Sequence, residues 1–195
     1  MRRTVGTAGA LVLLGVGIIS CGASTSITDA TFGWTAAEGL MLLSASDPTV
    51  GTVVLASNMG NCGYLQAGVD VTQIANTDFL TFQLESVGPN LGFLPLSAGT
   101  YTITIPNGTG ATQAGLYGIS TEYETGGNCS YTPTGANSGT LLLDPFNHDG
   151  GTSVANWTLI FGSNRFEGSN NLTACIVPAN TPPADAGTCK PPGFP

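Results

Sequence analysis

What most constrains this chain is a series of short apolar runs that alternate with polar residues and are cut off by turn residues. In Asp78–Glu85, Leu80, Phe82 and Leu84 point one way while Thr81, Gln83 and Glu85 point the other. Successive side chains of a strand face opposite sides, so this spacing buries one face and wets the other. Tyr101, Ile103 and Ile105 repeat the pattern before Pro106-Asn107-Gly108 stops the run. Leu40–Leu43 and Val50–Leu55, parted by Ser46-Asp47-Pro48, read as earlier strands. Leu116–Glu124, Thr140–Leu143, Trp157–Phe161 and Phe166–Ala174 read as later ones, with Gly162-Ser163-Asn164-Arg165 joining the last two as a hairpin.

Strands at spacings of roughly 10–20 residues, with almost no helical periodicity, point to an all-β domain rather than a parallel α/β sheet. The expectation is a single antiparallel β-sandwich, jelly-roll-like, of eight or nine strands over residues 27–177. The 42% hydrophobic content and the regular recurrence of apolar runs argue against disorder. Residues 178–195 hold six prolines and read as an extended, non-helical tail.

Residues 1–20 stand apart. Arg2 and Arg3 precede an apolar stretch, Val5–Ile19, which is shorter than the roughly 20 residues a spanning helix needs. This is the build of a secretory signal, expected as an N-terminal helix. Its ending, Ile18-Ile19-Ser20-Cys21, resembles the lipobox of bacterial lipoproteins. The resemblance implies cleavage before Cys21, lipidation of Cys21, and a short tether over 22–26. An ordinary cleaved signal with Cys21 near the cut is the alternative. Gly22 follows, not the aspartate that resembles an inner-membrane retention signal, so the outer membrane is the expected location.

Without the signal, Arg165 and Lys190 face twelve Asp and Glu, a net charge of −10. Such a chain cannot neutralise a phosphate backbone, which argues against nucleic acid as a partner. It also lacks a polybasic patch for anionic headgroups, so attachment to a membrane would come from the lipid. Charged residues are only 8% of the chain, against about 25% in average proteins.

With Cys21 reserved for lipid, Cys62, Cys129, Cys175 and Cys189 form an even set with three possible pairings in an oxidising compartment. A local Cys175–Cys189 bridge would pin the proline-rich tail and leave Cys62–Cys129, which is the pairing expected. Cys62–Cys175 with Cys129–Cys189 is the next. No CxxC spacing is present to favour a metal site.

A second resemblance rests on Thr52–Leu55 before Cys62, Gly99-Thr100-Tyr101-Thr102-Ile103, Ser138-Gly139-Thr140-Leu141, and Gly168-Ser169 before Ala174-Cys175. Their order over residues 50–175 resembles a set of uncharacterised myxobacterial-type lipoproteins. That resemblance implies a β-sandwich and brings no established activity. Asn170-Asn171 stand where the pattern has an aromatic, which implies that the last strand is an edge or bulged strand.

Asp144–Gly151 is the most chemically suggestive loop. Asp144, Asn147 and Asp149 offer oxygen ligands before a glycine, a weak calcium candidate, but Pro145 occupies a position that needs a side-chain oxygen. A solvated turn rich in turn formers is the expected reading. His148, the one histidine, has no identifiable nucleophile to serve, and G-x-S-x-G, H-E-x-x-H and S-x-x-K are missing. Glu122 and Glu124 share one face of a strand and read as an exposed, solvated pair. Tyr117, Tyr123, Tyr131 and Trp34 are candidates for a sugar-stacking platform, with core packing the more ordinary role. The function expected is a non-enzymatic, lipid-anchored envelope protein for binding, adhesion or support, with no cofactor and no catalytic residues. The alternatives are a glycan-binding module, with an envelope glycan as partner, and a secreted hydrolase.

Overall fold

A computed structural model describes residues 33–104, 113–147, 151–179, 181–182 and 188–192. The signal, Cys21 and the tether lie outside the described residues, as do His148, Asp149 and much of the proline-rich tail.

The described chain is all-β. Its strands are β1 (Glu38–Ser44), β2 (Val50–Ala56), β3 (Asp78–Val87), β4 (Phe93–Leu94), β5 (Gly99–Thr104), β6 (Gly115–Thr125), β7 (Tyr131–Gly135), β8 (Ser138–Leu143), β9 (Thr152–Phe161) and β10 (Asn164–Val177). Eight of them run in the order β3-β2-β1-β10-β9-β8-β5-β6, and β6 pairs back onto β3 along Asp78–Val87. The sheet therefore closes into a barrel. The short β4 and β7 flank β3 and β6.

The expected antiparallel sandwich is thus corrected to a closed, mixed barrel. Two neighbouring pairs are parallel, β1 with β10 and β5 with β6. Alternation says that each strand has one buried face; it is equally satisfied by two stacked sheets and by one sheet closed on itself. Asn170 and Asn171 also correct an expectation. They sit mid-strand in β10, paired with Ala155 and Val154 of β9, while β1 covers the other side of β10 further along. β10 is a central strand.

The barrel is filled, as small barrels are. Phe82, Tyr101, Leu141, Leu143 and Leu159 are fully buried, and Trp157 joins them. Large side chains fit because inward positions on neighbouring strands are glycine. A Cβ on Gly168 would stand 2.5 Å from Cζ2 of Trp157, and one on Gly118 would stand 2.9 Å from both Ile103 Cδ1 and Leu84 Cδ2. The Tyr101 hydroxyl is satisfied inside, donating to the Ser97 carbonyl at 2.8 Å and accepting from the Ser97 N–H at 3.2 Å. Truncating one of these leucines to alanine would cost about 2–5 kcal/mol.

A second, smaller core lies outside the barrel wall. The chain between β2 and β3 forms a six-residue helix, α1 (Asn61–Gln66), and a 3-10 turn at Val71–Gln73. Tyr64, Leu65, Val69 and Ile74 from this excursion bury the outward side chains Leu40, Val54 and Phe79. α1 has no cap of its own at Gly60. The Glu38 carboxylate of β1 takes that place, accepting from Asn61 N–H at 2.9 Å and from Asn61 Nδ2 at 2.8 Å.

Two disulfides tie these parts together, Cys62–Cys175 and Cys129–Cys189. The expected Cys175–Cys189 and Cys62–Cys129 pairing is overturned. Cys62 lies in the first turn of α1, which packs over β10 beside Cys175, so that bridge staples the outer core to the barrel. Cys129 lies in the β6–β7 turn, beside which Cys189 and Lys190 return. There Ala75 N–H donates to the Lys190 carbonyl and Lys190 N–H to the Gln73 carbonyl, each at 2.8 Å.

Candidate functional site

The outward faces of β1, β2, β3 and β6 form the floor of a groove. The register aligns Leu40, Val54, Thr81 and Thr121 in one row, and Leu42, Thr52, Gln83 and Ile119 in the next. One wall is the excursion from Leu65 to Gln73. The other is made by the β6–β7 turn and the returning tail, through Asn128, Cys129, Thr188 and Cys189. The cavity between them has a volume of about 710 Å³.

Two tyrosines stand in it. Tyr123 on β6 and Tyr131 on β7 meet edge to face, with ring centroids 6.1 Å apart and planes at 61°. Tyr131 is 51% exposed and Tyr123 is half-buried. Burial, and next the charge of nearby Asp70, hold the Tyr123 hydroxyl above the usual tyrosine range, so it is a neutral donor at pH 7. Asp70 is fixed by the 3-10 turn that it caps, accepting from Thr72 N–H at 2.9 Å and from Thr72 Oγ1 at 2.7 Å. Hydroxyls, amides and one carboxylate thus surround an aromatic corner, and among the described residues neither Lys nor Arg lines the cavity.

The four aromatics considered as a platform therefore divide. Tyr123 and Tyr131 come together. Tyr117 shares the outward face of β6, but its hydroxyl donates to Gln113 at 3.1 Å. Trp34 packs against the barrel core, away from the groove.

Glu122 overturns the expectation of a solvated pair. It shares its face with Glu124, as alternation requires, but that face is the barrel interior. Glu122 is 7% exposed and stands opposite Leu80, while Glu124 reaches the mouth and is exposed. Burial pushes the Glu122 carboxyl up to about 7, helped by the charges of Glu124 and Asp78. The Trp34 indole N–H opposes this from close by, although Trp34 Nε1 completes no hydrogen bond of good geometry. Asp78 is also raised, by its own burial and then by Glu124, against a hydrogen bond with Ser57. Glu122 does not line the groove.

The Asp144–Gly151 loop is seen only in part, since His148, Asp149 and Gly150 lie outside the described residues. β8 ends at Leu143, before Pro145. Asn147 bonds its own loop, its N–H donating to Ser153 Oγ at 2.9 Å. Among the described residues no three His, Cys, Asp or Glu side chains converge as a metal site would.

Sequence reasoning missed the groove as a unit. Its walls come from a helical excursion without strand or helix periodicity and from a tail brought back by a disulfide. Of its lining, the sequence alone singles out Tyr123, Tyr131 and the two cysteines Cys129 and Cys189. Comparison with protein-family models, with curated proteins and with solved structures finds no match for this chain.

Proposed function

We propose that this chain is an exported, non-enzymatic binding module of the cell envelope, anchored through lipid on Cys21, and that the outer groove takes a neutral carbohydrate. The observation that carries the reading is the Tyr123–Tyr131 corner opening onto a 710 Å³ groove. Flat apolar ring faces suit the C–H faces of a sugar, and the surrounding Asp70, Gln83, Asn128 and Thr188 offer donors and acceptors to its hydroxyls. The lack of lining cations disfavours an acidic or phosphorylated ligand. Two disulfides are in keeping with an oxidising compartment.

A thermal-shift and titration panel of neutral oligosaccharides tests the reading, since a ligand of the native state raises the melting temperature. A binding sugar should lose its shift in Tyr131→Ala, whose fold should be unchanged. A panel in which no sugar shifts the wild type would remove the carbohydrate reading. Fatty-acid labelling tests the anchor separately: Cys21→Ala should carry no label.

A further inference from the structure

The groove does not end at the tyrosines. Leu42, Thr52 and Gln83, side by side across β1, β2 and β3, also line a second cavity of about 470 Å³ on the same outer face. There the character changes. Val50, Ile119 and Val177 replace the tyrosines, and Val50 is 46% exposed. From Tyr123 to Ile119 is four residues of strand, roughly 13 Å at about 3.3 Å per residue. Beyond Ile119, the neighbouring strand β5 presents Thr100, Thr102 and Thr104 to solvent, the ordinary pattern for an outward face.

We propose that the two cavities are one site for a neutral amphiphile, with a sugar headgroup at the Tyr123–Tyr131 end and an acyl chain laid over Leu42, Val50, Ile119 and Val177. This rests on the carbohydrate reading of the aromatic end. Continuity is supplied by the three residues common to both cavities. The charge of the headgroup follows from the lining. Asp70 stands at one end and Glu85 at the other, and among the described residues neither Lys nor Arg lines either cavity. A phosphate-bearing headgroup would meet these carboxylates with no cation to offset them. The uncharged sugar head and the apolar chain each find matching chemistry, in the order along the sheet that one extended molecule requires.

The test is calorimetric titration of the chain carrying Cys21→Ser, so that its own acyl groups do not compete, with maltose, octyl maltoside and decyl maltoside, each below its micelle concentration. Affinity should rise by about tenfold from octyl to decyl maltoside, as expected when two more CH₂ groups are buried. Val50→Asp should abolish that increment and leave maltose binding unchanged. Tyr131→Ala should weaken all three ligands together. If maltose binds but chain length adds nothing, or Val50→Asp keeps the increment, the amphiphile proposal falls and the carbohydrate reading stands. If an octyl tetraethylene glycol ether binds as well as octyl maltoside and maltose does not bind, the headgroup is not recognised and the amphiphile proposal falls, with the oligosaccharide panel deciding the carbohydrate reading. Failure of every maltoside overturns this proposal and leaves the oligosaccharide panel to decide the reading beneath it.

Discussion

The Trp157 indole N–H donates to Asn170 Oδ1 across 3.0 Å inside the barrel. Both residues are buried, and the indole lies over the Cα of Gly168, where no side chain intervenes. A buried donor stripped of its acceptor costs about 1–3 kcal/mol. Asn170→Ala should therefore lower unfolding stability by about 2 kcal/mol. In Trp157→Phe the N–H is gone, so adding Asn170→Ala to that background should cost less. Urea unfolding of the four-member cycle measures the coupling. A coupling energy near zero would show that the contact does not hold the barrel interior together.

This pair also shows where the sequence was legible. Trp157 and the alternation around it correctly marked β9 and its buried face, but Asn170 looked like a flaw in β10. Its partner stands across the β9–β10 hairpin, and a side chain's hydrogen bond inside a barrel leaves no periodic trace. The same limit hid closure of the sheet. Inward positions at Gly118, Gly139 and Gly168 were the available signal for a small, filled barrel, and alternation alone did not use it. α1 was missed because six residues are too few to display a helical period, and because its cap comes from Glu38 on another strand. β7 was missed because Pro133 interrupts its pattern, which an outer strand beside β6 tolerates.

Glu122 makes stability depend on pH with a definite sign. Its carboxyl sits at about 7 in the fold, above the ordinary 4.5. Between those values the folded chain keeps a proton that the unfolded chain has released, so stability falls as pH rises through this window. Below about pH 4.5 there is no penalty; above about pH 7 it is fully present. Glu122→Gln should thus stabilise the protein at pH 8, by roughly 1–3 kcal/mol after discounting for solvent screening near the barrel mouth, and change little at pH 4. Denaturant midpoints at the two pH values decide this. A Gln variant no more stable than wild type at pH 8 would mean that the carboxylate is stabilised there by something other than its neighbours named above.

The Cys62–Cys175 bridge spans 113 residues of sequence and joins α1 to the barrel wall, with Cys175 fully buried. Removing a native disulfide of this kind typically costs 2–5 kcal/mol. The double variant Cys62→Ala/Cys175→Ala should lose about that much and should expose the outer core around Tyr64 and Phe79 to hydrogen exchange first. Non-reducing peptide mapping of the wild type should yield a Cys62–Cys175 peptide. Recovery of a Cys175–Cys189 peptide instead would restore the pairing expected from the sequence and detach the tail from the groove.

The second bridge should matter for ligand binding more than for stability. Cys129–Cys189 closes 60 residues of sequence, and Cys189 is exposed where Cys175 is buried. Access governs thiol–disulfide exchange, so a mild reductant should open Cys129–Cys189 before Cys62–Cys175. The two backbone hydrogen bonds of Lys190, to Gln73 and Ala75, would remain, but Thr188 would no longer be held by the bridge as a groove wall. Cys129→Ser/Cys189→Ser should accordingly weaken sugar affinity by about tenfold, a loss of about 1.4 kcal/mol. Its unfolding free energy should fall less than that of the Cys62–Cys175 variant. Alkylation and mass mapping during reduction give the order of opening, and titration with a binding oligosaccharide gives the affinity. Unchanged affinity in the double variant would show that the returning tail borders the groove without contributing to recognition.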